Sequence, residues 1–168
     1  MFRILFASLR PGMVEVMDGC PVLPLYDFPG DFRVLLRVLR KGLNFYADKQ
    51  LPFGAVASLV RLGNKYGIED VKKDGIRRLK SCFCTDLQAF MDTAYGSNAP
   101  GNPRGSFLMS YKLTDAMIAI NLARLTGEHS MLPTAVYICA VNLDENTMRN
   151  GVPWEDCSLA LDRLEAEA

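Results

Sequence analysis

Three consecutive segments with helical apolar spacing, bounded by glycines and prolines, constrain the fold of this chain most. The first is predicted to run from Pro29 to Lys41, because proline suits the first turn of a helix and Gly42 ends the pattern. The second opens at Pro52 and closes at Lys65-Tyr66-Gly67, and the third continues from Ile68 to about Phe83. Three helices with such short connectors must pack their apolar faces on one another.

The apolar residues of the first two helices repeat with the i, i+3, i+4, i+7 spacing of a buried stripe. In the first helix this spacing predicts a stripe of Phe32, Leu35, Leu36 and Leu39. The basic residues of that helix then lie outside the stripe or near its C-terminus, where the helix dipole favours positive charge. The core that the three helices are expected to share contains Leu35, Leu36, Val56, Val60 and Leu79.

Two short segments carry strand-like patterns. Cys20 to Tyr26 is apolar but contains two prolines, which cannot donate to a central ladder, so we expect an edge strand or a connector there. Leu43 to Ala47 alternates with period two, which predicts a short strand. Because helical patterns cover most of the remaining chain, the sequence predicts a mainly α fold with one or two short strands.

A change of composition after residue 84 predicts a second, helical part of the chain. The stretch LQAFMDTAY reads as a helix, and the glycine- and proline-rich residues Gly96 to Gly105 read as a loop. Asp115 to Leu125 and Pro133 to Leu143 are apolar on most faces, which predicts helices buried against their neighbours. A last helix is predicted from the stripe Trp154, Cys157, Leu161 and Leu164. We therefore expect one unit over residues 1–84 and a helical C-terminal extension over residues 85–168.

The overall charge indicates protein partners rather than nucleic acid or a membrane. Nineteen basic residues balance nineteen acidic ones, and the pI near 6.6 provides no global field that would attract a polyanion. The apolar run in MFRILFASLRPG is too short for a signal-peptide core or a membrane span. Five cysteines, an odd number in mostly apolar contexts, indicate reduced thiols, so we expect a cytoplasmic or nuclear protein.

Several frames of the sequence resemble the BTB/POZ domains that are expanded in mushroom-forming fungi. The frame DF.VLLR.L..GL.F covers Asp31 to Phe45, LPF..V..L.RLG.KY.I covers Leu51 to Ile68, and RRLK covers Arg77 to Lys80. The stretch INLARLTGEHSMLPTAVYICA resembles the helical continuation of those proteins. The resemblance spans most of Met1 to Val141 and implies the C-terminal half of a BTB/POZ domain followed by its helical extension.

The resemblance also implies that strands are missing. Complete BTB/POZ domains begin with two or three strands and a helix upstream of this chain, and MFRILF resembles the last turns of that helix. The chain is thus expected to be a fragment, a truncated product or a divergent domain. Residues that those strands would cover are expected to be exposed, so that the chain self-associates or needs a partner: Val22, Leu23, Leu25 and Leu43 to Phe45. Phe28 departs from the family pattern, because phenylalanine cannot cap the following helix.

A short motif near the N-terminus suggests one partner. BTB adaptors of cullin-3 ligases carry a hydrophobic-any-acidic triplet, and Met13-Val14-Glu15 fits it, although such triplets also occur by chance. The resemblance therefore implies cullin-3, or a second copy in a homodimer, as partners. The candidate partner-binding residues are Met13, Val14, Glu15, Val22, Leu23 and Leu25.

Reactive residue types occur without the spacing that catalysis or metal binding requires. Cys82 and Cys84 could offer two thiolates, but no second cysteine pair or paired histidine stands at zinc spacing, so we expect structural thiols. His129 lies between two helices without a nucleophile motif, which favours a loop or capping role. Phosphate-binding loops, nucleophile elbows and zincin motifs are absent from the sequence. We expect neither catalytic residues nor cofactors.

The basic runs leave one alternative open. Lys72 to Lys80 and Arg33 to Lys41 could contact nucleic acid, but acids dilute the first run and aromatic residues are not interleaved, which favours a solvated helix face. The sequence therefore predicts a non-enzymatic protein-interaction module that acts in dimerisation or as an adaptor. The alternative is a nucleic-acid-associated regulator that uses these basic faces, and an enzyme ranks third.

Overall fold

A computed structural model describes residues 15–95 and 104–153 of the chain. The helices in this part are α1 (Pro29–Lys41), α2 (Leu43–Tyr46), α3 (Phe53–Tyr66), α4 (Glu69–Lys80), α5 (Leu87–Tyr95), α6 (Asp115–Thr126), α7 (Leu132–Asn142) and α8 (Glu145–Asn150). The strands are β1 (Val16–Met17), β2 (Cys20–Pro21), β3 (Leu51–Pro52), β4 (Arg104–Gly105) and β5 (Met109–Tyr111), and a 3-10 turn spans His129–Met131. The predicted fold class, mainly α with short strands, is confirmed.

Helix α3 is the centre of the fold, because α1, α4 and α6 all pack on it. Its apolar residues are buried almost all the way round, as a central helix requires. Helix α4 approaches it closely at Gly75, where a Cβ atom would lie 2.5 Å from Cγ2 of Val60. A glycine inside a helix costs stability relative to alanine, so Gly75 is retained here for close packing rather than for helix propensity.

A small sheet joins the two parts of the chain that the sequence predicted as separate units. β5 lies between β4 and β3; it pairs antiparallel with β4 and parallel with β3, with Leu51 opposite Met109. One hydrophobic cluster includes residues on both sides of residue 84, among them Val60 and Ala119. The boundary at residue 84 stays a prediction, but the two parts share a sheet and a core.

The predicted apolar stripe of α1 is wrong by about one position. Leu36 is 46% exposed and Leu39 is also exposed, whereas Val34, Leu35 and Val38 are buried. The run VLLRVL offers two overlapping sets with helical spacing, so apolar residues alone do not select between them. The buried set includes Asp31, whose carboxylate binds α3 and turns this face of the helix inward. The predicted common core therefore holds for the other four residues and fails for Leu36.

The predicted strand from Leu43 to Ala47 is wrong, because Leu43–Tyr46 forms the short helix α2. Gly42, at φ 85°, changes the chain direction between α1 and α2. The N–H groups of Phe45 and Ala47 then bond carbonyls three residues back, at 3.2 and 3.3 Å. These local bonds satisfy a backbone that, in a strand, would need a neighbouring strand beside it.

The segment Cys20 to Tyr26, predicted as an edge strand or connector, is mostly a connector. Only Cys20–Pro21 is strand, in a two-residue antiparallel hairpin with Val16–Met17, and within the described chain the N–H of Val22 adds one backbone bond to the carbonyl of Glu15. Phe28 stands at the N-cap of α1 without a side-chain cap, as its lack of an acceptor predicted.

The remaining helices follow the predicted segments, with three corrections. α3 ends at Tyr66 with Gly67 in the left-handed conformation at φ 64°, as the glycine signal predicted. α4 ends at Lys80 instead of Phe83, because the following residues form a turn closed on the carbonyl of Leu79.

The predicted loop Gly96 to Gly105 ends in the strand β4, and residues 96–103 lie outside the described part. α7 was predicted to be buried on most faces but exposes Tyr137 and its neighbours, because α6 covers only one side of it. The predicted last helix lies outside the described residues.

Candidate functional site

An apolar cleft lies between the segment that leads into α5 and the first turns of α7. Its volume is about 480 Å3, and it is open to solvent. The cleft is lined by Cys84, Thr85, Asp86, Leu87, Phe90, Met91, Pro133, Thr134 and Tyr137. Most of these side chains are apolar or aromatic, which is typical of surfaces that bind other molecules.

Local interactions hold the two walls of this α5/α7 cleft in place. Asp86 begins α5, because its Oδ1 accepts a hydrogen bond at 2.8 Å from the N–H of Ala89, as in an N-terminal cap. The hydroxyl of Thr134, in the first turn of α7, donates to the carbonyl of Cys84 and ties α7 to the segment before α5. The rings of Phe90 and Tyr137 meet edge to face across the cleft, with centroids 6.0 Å apart.

The rim of the cleft exposes large apolar side chains. Leu87 is 73% exposed, Tyr137 is 52% exposed, and Met91 is also exposed on the same side of α5 as Leu87, one turn away. Single exposed apolar residues are ordinary on protein surfaces, but here three of them line one concave cleft.

The charge of the cleft is acidic as far as the described residues show it. Asp86 is the one charged side chain among the described lining residues. Asp92, exposed on α5, is not a lining residue and accepts a hydrogen bond from Gln88 at 2.9 Å.

The outer face of α1 forms a second apolar surface, with basic residues beside it. Its exposed apolar residues are Leu36 and Leu39, one turn apart. The positive side chains on the same helix are Arg33, Arg37, Arg40 and Lys41, of which Arg37 is half-buried and the others are exposed. The single acid of α1, Asp31, points inward and accepts from Ser58 Oγ at 2.9 Å and from Arg61 at 3.0 Å. We call this surface the α1 outer face.

The partner-binding residues predicted from the sequence lie elsewhere. Met13 and Val14 lie outside the described residues. Glu15 is exposed, and its carbonyl accepts a hydrogen bond from the N–H of Val22 at 2.7 Å, which closes the β1–β2 hairpin. Val22 and Leu23 are half-buried, and Leu25 is exposed. None of the described four lines the α5/α7 cleft.

Asp27 fastens the segment after this hairpin to the end of α3. Its carboxylate accepts from Lys65 Nζ at 2.5 Å and from the hydroxyl of Tyr66. Burial alone would raise the pKa of Asp27, but these hydrogen bonds and the charge of Lys65 together lower it. Burial, the hydrogen bond to Asp27 and the negative charge of Asp27 raise the pKa of Tyr66 to about 12. This cluster is structural, since every polar group in it is satisfied within the fold.

The basic run Lys72 to Lys80 is largely the solvated face that the sequence predicted, with Lys73, Arg77 and Lys80 exposed, but it departs from that prediction at Arg78. Arg78 is 0% exposed, and its guanidinium donates to the carbonyls of Tyr46 (2.5 Å), Lys49 (2.9 Å) and Leu108 (2.9 Å) and to Asp74 (2.7 Å). Three other cations of the run form ion pairs, namely Lys72 with Glu69, Arg77 with Asp74 and Lys80 with Glu128. Pairing reduces the positive charge that this run could offer to phosphates.

The thiols and the histidine occupy ordinary structural positions. Cys82 is buried, and its Sγ lies 3.6 Å from the carbonyl of Met109; burial raises the pKa of this thiol, against the opposing effect of hydrogen bonds with Ser106 and Ser81. Cys84 lines the cleft, and its Sγ donates to the carbonyl of Asp86 at 3.5 Å. His129 is exposed and begins the 3-10 turn before α7. Within residues 15–95 and 104–153, no three His, Cys, Asp or Glu side chains are grouped as a metal site would require.

The cleft was not predicted from the sequence, because α7 was expected to be buried and α5 was expected to be an ordinary helix. Two features of the sequence could have indicated the cleft. Leu87 and Met91 form an apolar pair with i, i+4 spacing in LQAFM, and α7 is apolar on more sides than one neighbouring helix can cover.

In comparisons with known proteins, no protein-family model, curated protein or solved structure matches this chain. The BTB/POZ resemblance therefore stays a prediction. None of the helices in the described ranges is both long enough and apolar enough to cross a membrane.

Proposed function

We propose that this chain is a non-enzymatic protein–protein interaction module and that the α5/α7 cleft is its binding site. The observation that carries the proposal is the cleft itself, an open apolar concavity of about 480 Å3 whose rim exposes Leu87, Met91 and Tyr137. Its shape suits an amphipathic helix that inserts apolar anchors into a groove. We place this activity in the cytoplasm or nucleus.

The exposed apolar surface supports a partner of modest affinity. Fully burying a Leu, Met or aromatic side chain contributes about 1.5–3 kcal/mol, so three side chains that are already partly buried contribute roughly 3–5 kcal/mol together. Association itself costs at least about 4 kcal/mol. These two magnitudes nearly cancel, so measurable binding also requires burial of the partner's own apolar side chains and polar contacts at the rim.

The BTB/POZ resemblance supports the same kind of function, namely dimerisation or an adaptor role, and remains part of the proposal. In its favour, the three frames coincide with α1, with α3 and with the end of α4. Against it, the short strand expected between α1 and α3 is the helix α2. Cullin-3 stays a proposed partner whose triplet, Met13-Val14-Glu15, lies mostly outside the described residues.

A peptide selection tests the proposed binding site without knowledge of the partner. A phage-displayed library of random 16-residue peptides is selected on the immobilised wild-type chain, and the enriched peptides are synthesised and titrated. We expect dissociation constants of about 1–100 µM, weakened at least tenfold by Met91→Lys, which places a charge on the cleft rim. The control Leu125→Lys alters an exposed leucine of α6 that does not line the cleft and should leave binding unchanged. Enriched peptides that bind wild type and Met91→Lys equally would refute the assignment of the cleft.

A further inference from the structure

We propose that residues 154–164 dock on an apolar stripe of α7 in the same chain. This surface, which we call the α7 outer stripe, consists of the exposed residues Pro133, Val136, Tyr137, Ala140 and Val141. Their i, i+3, i+4, i+7, i+8 spacing places them on one face of the helix. Pro133 and Tyr137 also line the α5/α7 cleft, so the docked segment would lie beside the cleft. Docking on the stripe does not require a ligand in the cleft.

The α7 outer stripe lies on the side of α7 that points away from the core of the described chain. The buried side of α7 contains Ala135, Ile138 and Cys139, and α6 packs on this helix. On the opposite side, Val136 and Val141 are at least half exposed. A helix that is apolar on all sides is normally buried, so we expect a further segment to cover this stripe.

The apolar spacing of residues 154–164 suits this surface. One face of a helix is predicted to carry Trp154, Cys157, Leu161 and Leu164. As a helix, these residues would span about 16 Å, which is also the approximate length of the 11 residues of α7. The predicted helix needs a surface for its apolar face, and the α7 outer stripe is an apolar surface of matching length.

The position of this segment in the chain favours a contact within one molecule. α8 ends at Asn150, and Pro153 suits the start of a new helix. Only the short connection over residues 143–153, which includes α8, separates the end of α7 from Trp154. A short tether gives a segment an effective concentration on the order of millimolar at its target, which a separate partner would have to exceed. Residues 154–164 are therefore the occupant that this geometry favours.

Tryptophan fluorescence tests the docking in the full chain, because Trp154 is the only tryptophan. Emission wavelength and acrylamide quenching are measured for wild type, Val136→Glu, Val141→Glu and the control Leu125→Glu. The control is matched, because Leu125 and Val141 are both exposed and each stands one residue before the end of its helix. We expect wild type and control to emit at shorter wavelength than N-acetyltryptophanamide and to be quenched less. Val136→Glu and Val141→Glu should shift the emission towards that of the amide and increase the quenching.

The same measurements contain the outcomes that overturn the docking. Wild-type emission and quenching equal to those of the amide would show that Trp154 is not covered. Unchanged emission in Val136→Glu and Val141→Glu would place Trp154 on another surface. A wild-type shift that appears only as the concentration rises from about 1 to 100 µM would assign the contact to a second copy.

Two further measurements keep the test decisive. If circular dichroism shows that either variant is unfolded, Ala140→Glu replaces it, since Ala140 is an exposed residue of the same stripe. An uncovered Trp154 in a chain that still binds the selected peptides at the cleft would refute the docking while leaving the proposed function intact.

Discussion

The buried guanidinium of Arg78 should be one of the most stabilising side chains in this fold. It connects α4 to three backbone carbonyls, which belong to Tyr46, Lys49 and Leu108, and pairs with Asp74. It thereby links α2, the turn before β3 and the loop before β5 to α4. We predict that Arg78→Met, which keeps much of the side-chain length but removes every donor, destabilises the protein strongly.

The expected loss of stability depends on which hydrogen-bond donors each acceptor keeps when the guanidinium is removed. The carbonyls of Tyr46 and Leu108 each retain a backbone donor, the N–H of Lys49 at 3.1 Å and that of Leu51 at 3.0 Å. Asp74 retains Arg77, at 2.8 Å, but loses its buried partner. Removing one member of a buried ion pair costs about 3–5 kcal/mol, and these remaining contacts place the expected loss near the lower end, at about 3 kcal/mol.

Urea unfolding followed by far-ultraviolet circular dichroism measures this loss. With a slope of about 2–3 kcal/mol per molar urea, the midpoint of Arg78→Met should fall by about 1–1.5 M. The neighbouring Arg77→Met is the matched control, because Arg77 is half-exposed and an exposed ion pair contributes less than about 1 kcal/mol. Arg78→Lys should recover only part of the loss, since an ammonium cannot reproduce the planar fork of donors. Equal midpoints for Arg78→Met and Arg77→Met would refute this reasoning.

Three further predictions concern packing and pH. Leu35→Ala should cost about 2–5 kcal/mol and Leu36→Ala less than about 1 kcal/mol, because only the first side chain is buried; equal losses in urea unfolding would contradict the observed phase of α1. Gly75→Ala should destabilise wild type by about 1–2 kcal/mol through its clash with Val60 and should cost clearly less in a Val60→Ala background, so additive losses would exclude the clash. The pKa of Tyr66, raised to about 12, means that its contribution to the free energy of unfolding is complete below about pH 10 and is lost between about pH 10 and 12. Tyr66→Phe should therefore lose less stability than wild type between about pH 9 and 12, and identical losses in unfolding curves would contradict this.

Much of the helical framework could be predicted from local signals. Pro29 and Gly42 bound α1 as expected, and Gly67 ends α3, because these residues act through their own backbone conformation. Such signals need no knowledge of neighbouring elements. The mainly α class follows from them.

The errors arose where a distant residue decides the local outcome. The orientation of α1 depends on Asp31, whose carboxylate binds Ser58 and Arg61, a polar contact that an apolar pattern does not record. Arg78 has the spacing of a surface cation and is buried only because acceptors from three other segments surround it.

The candidate site was the least predictable part. A cleft exists where two helices approach each other without filling the space between them. In this chain α7 is held near the segment before α5 by the hydrogen bond from Thr134 to the carbonyl of Cys84, fifty residues earlier. The sequence records that both helices are apolar but does not record which of their faces remains uncovered.

Nuclear magnetic resonance shows directly whether the α5/α7 cleft binds protein segments. A selected peptide is titrated into the isotopically labelled chain, and backbone and methyl shifts are followed. Binding at the cleft should produce the largest changes at Leu87, Met91 and the first turns of α7, with no change at Leu125 on α6. Shifts concentrated at the β1–β2 hairpin or on α6, with the cleft residues unaffected, would contradict it.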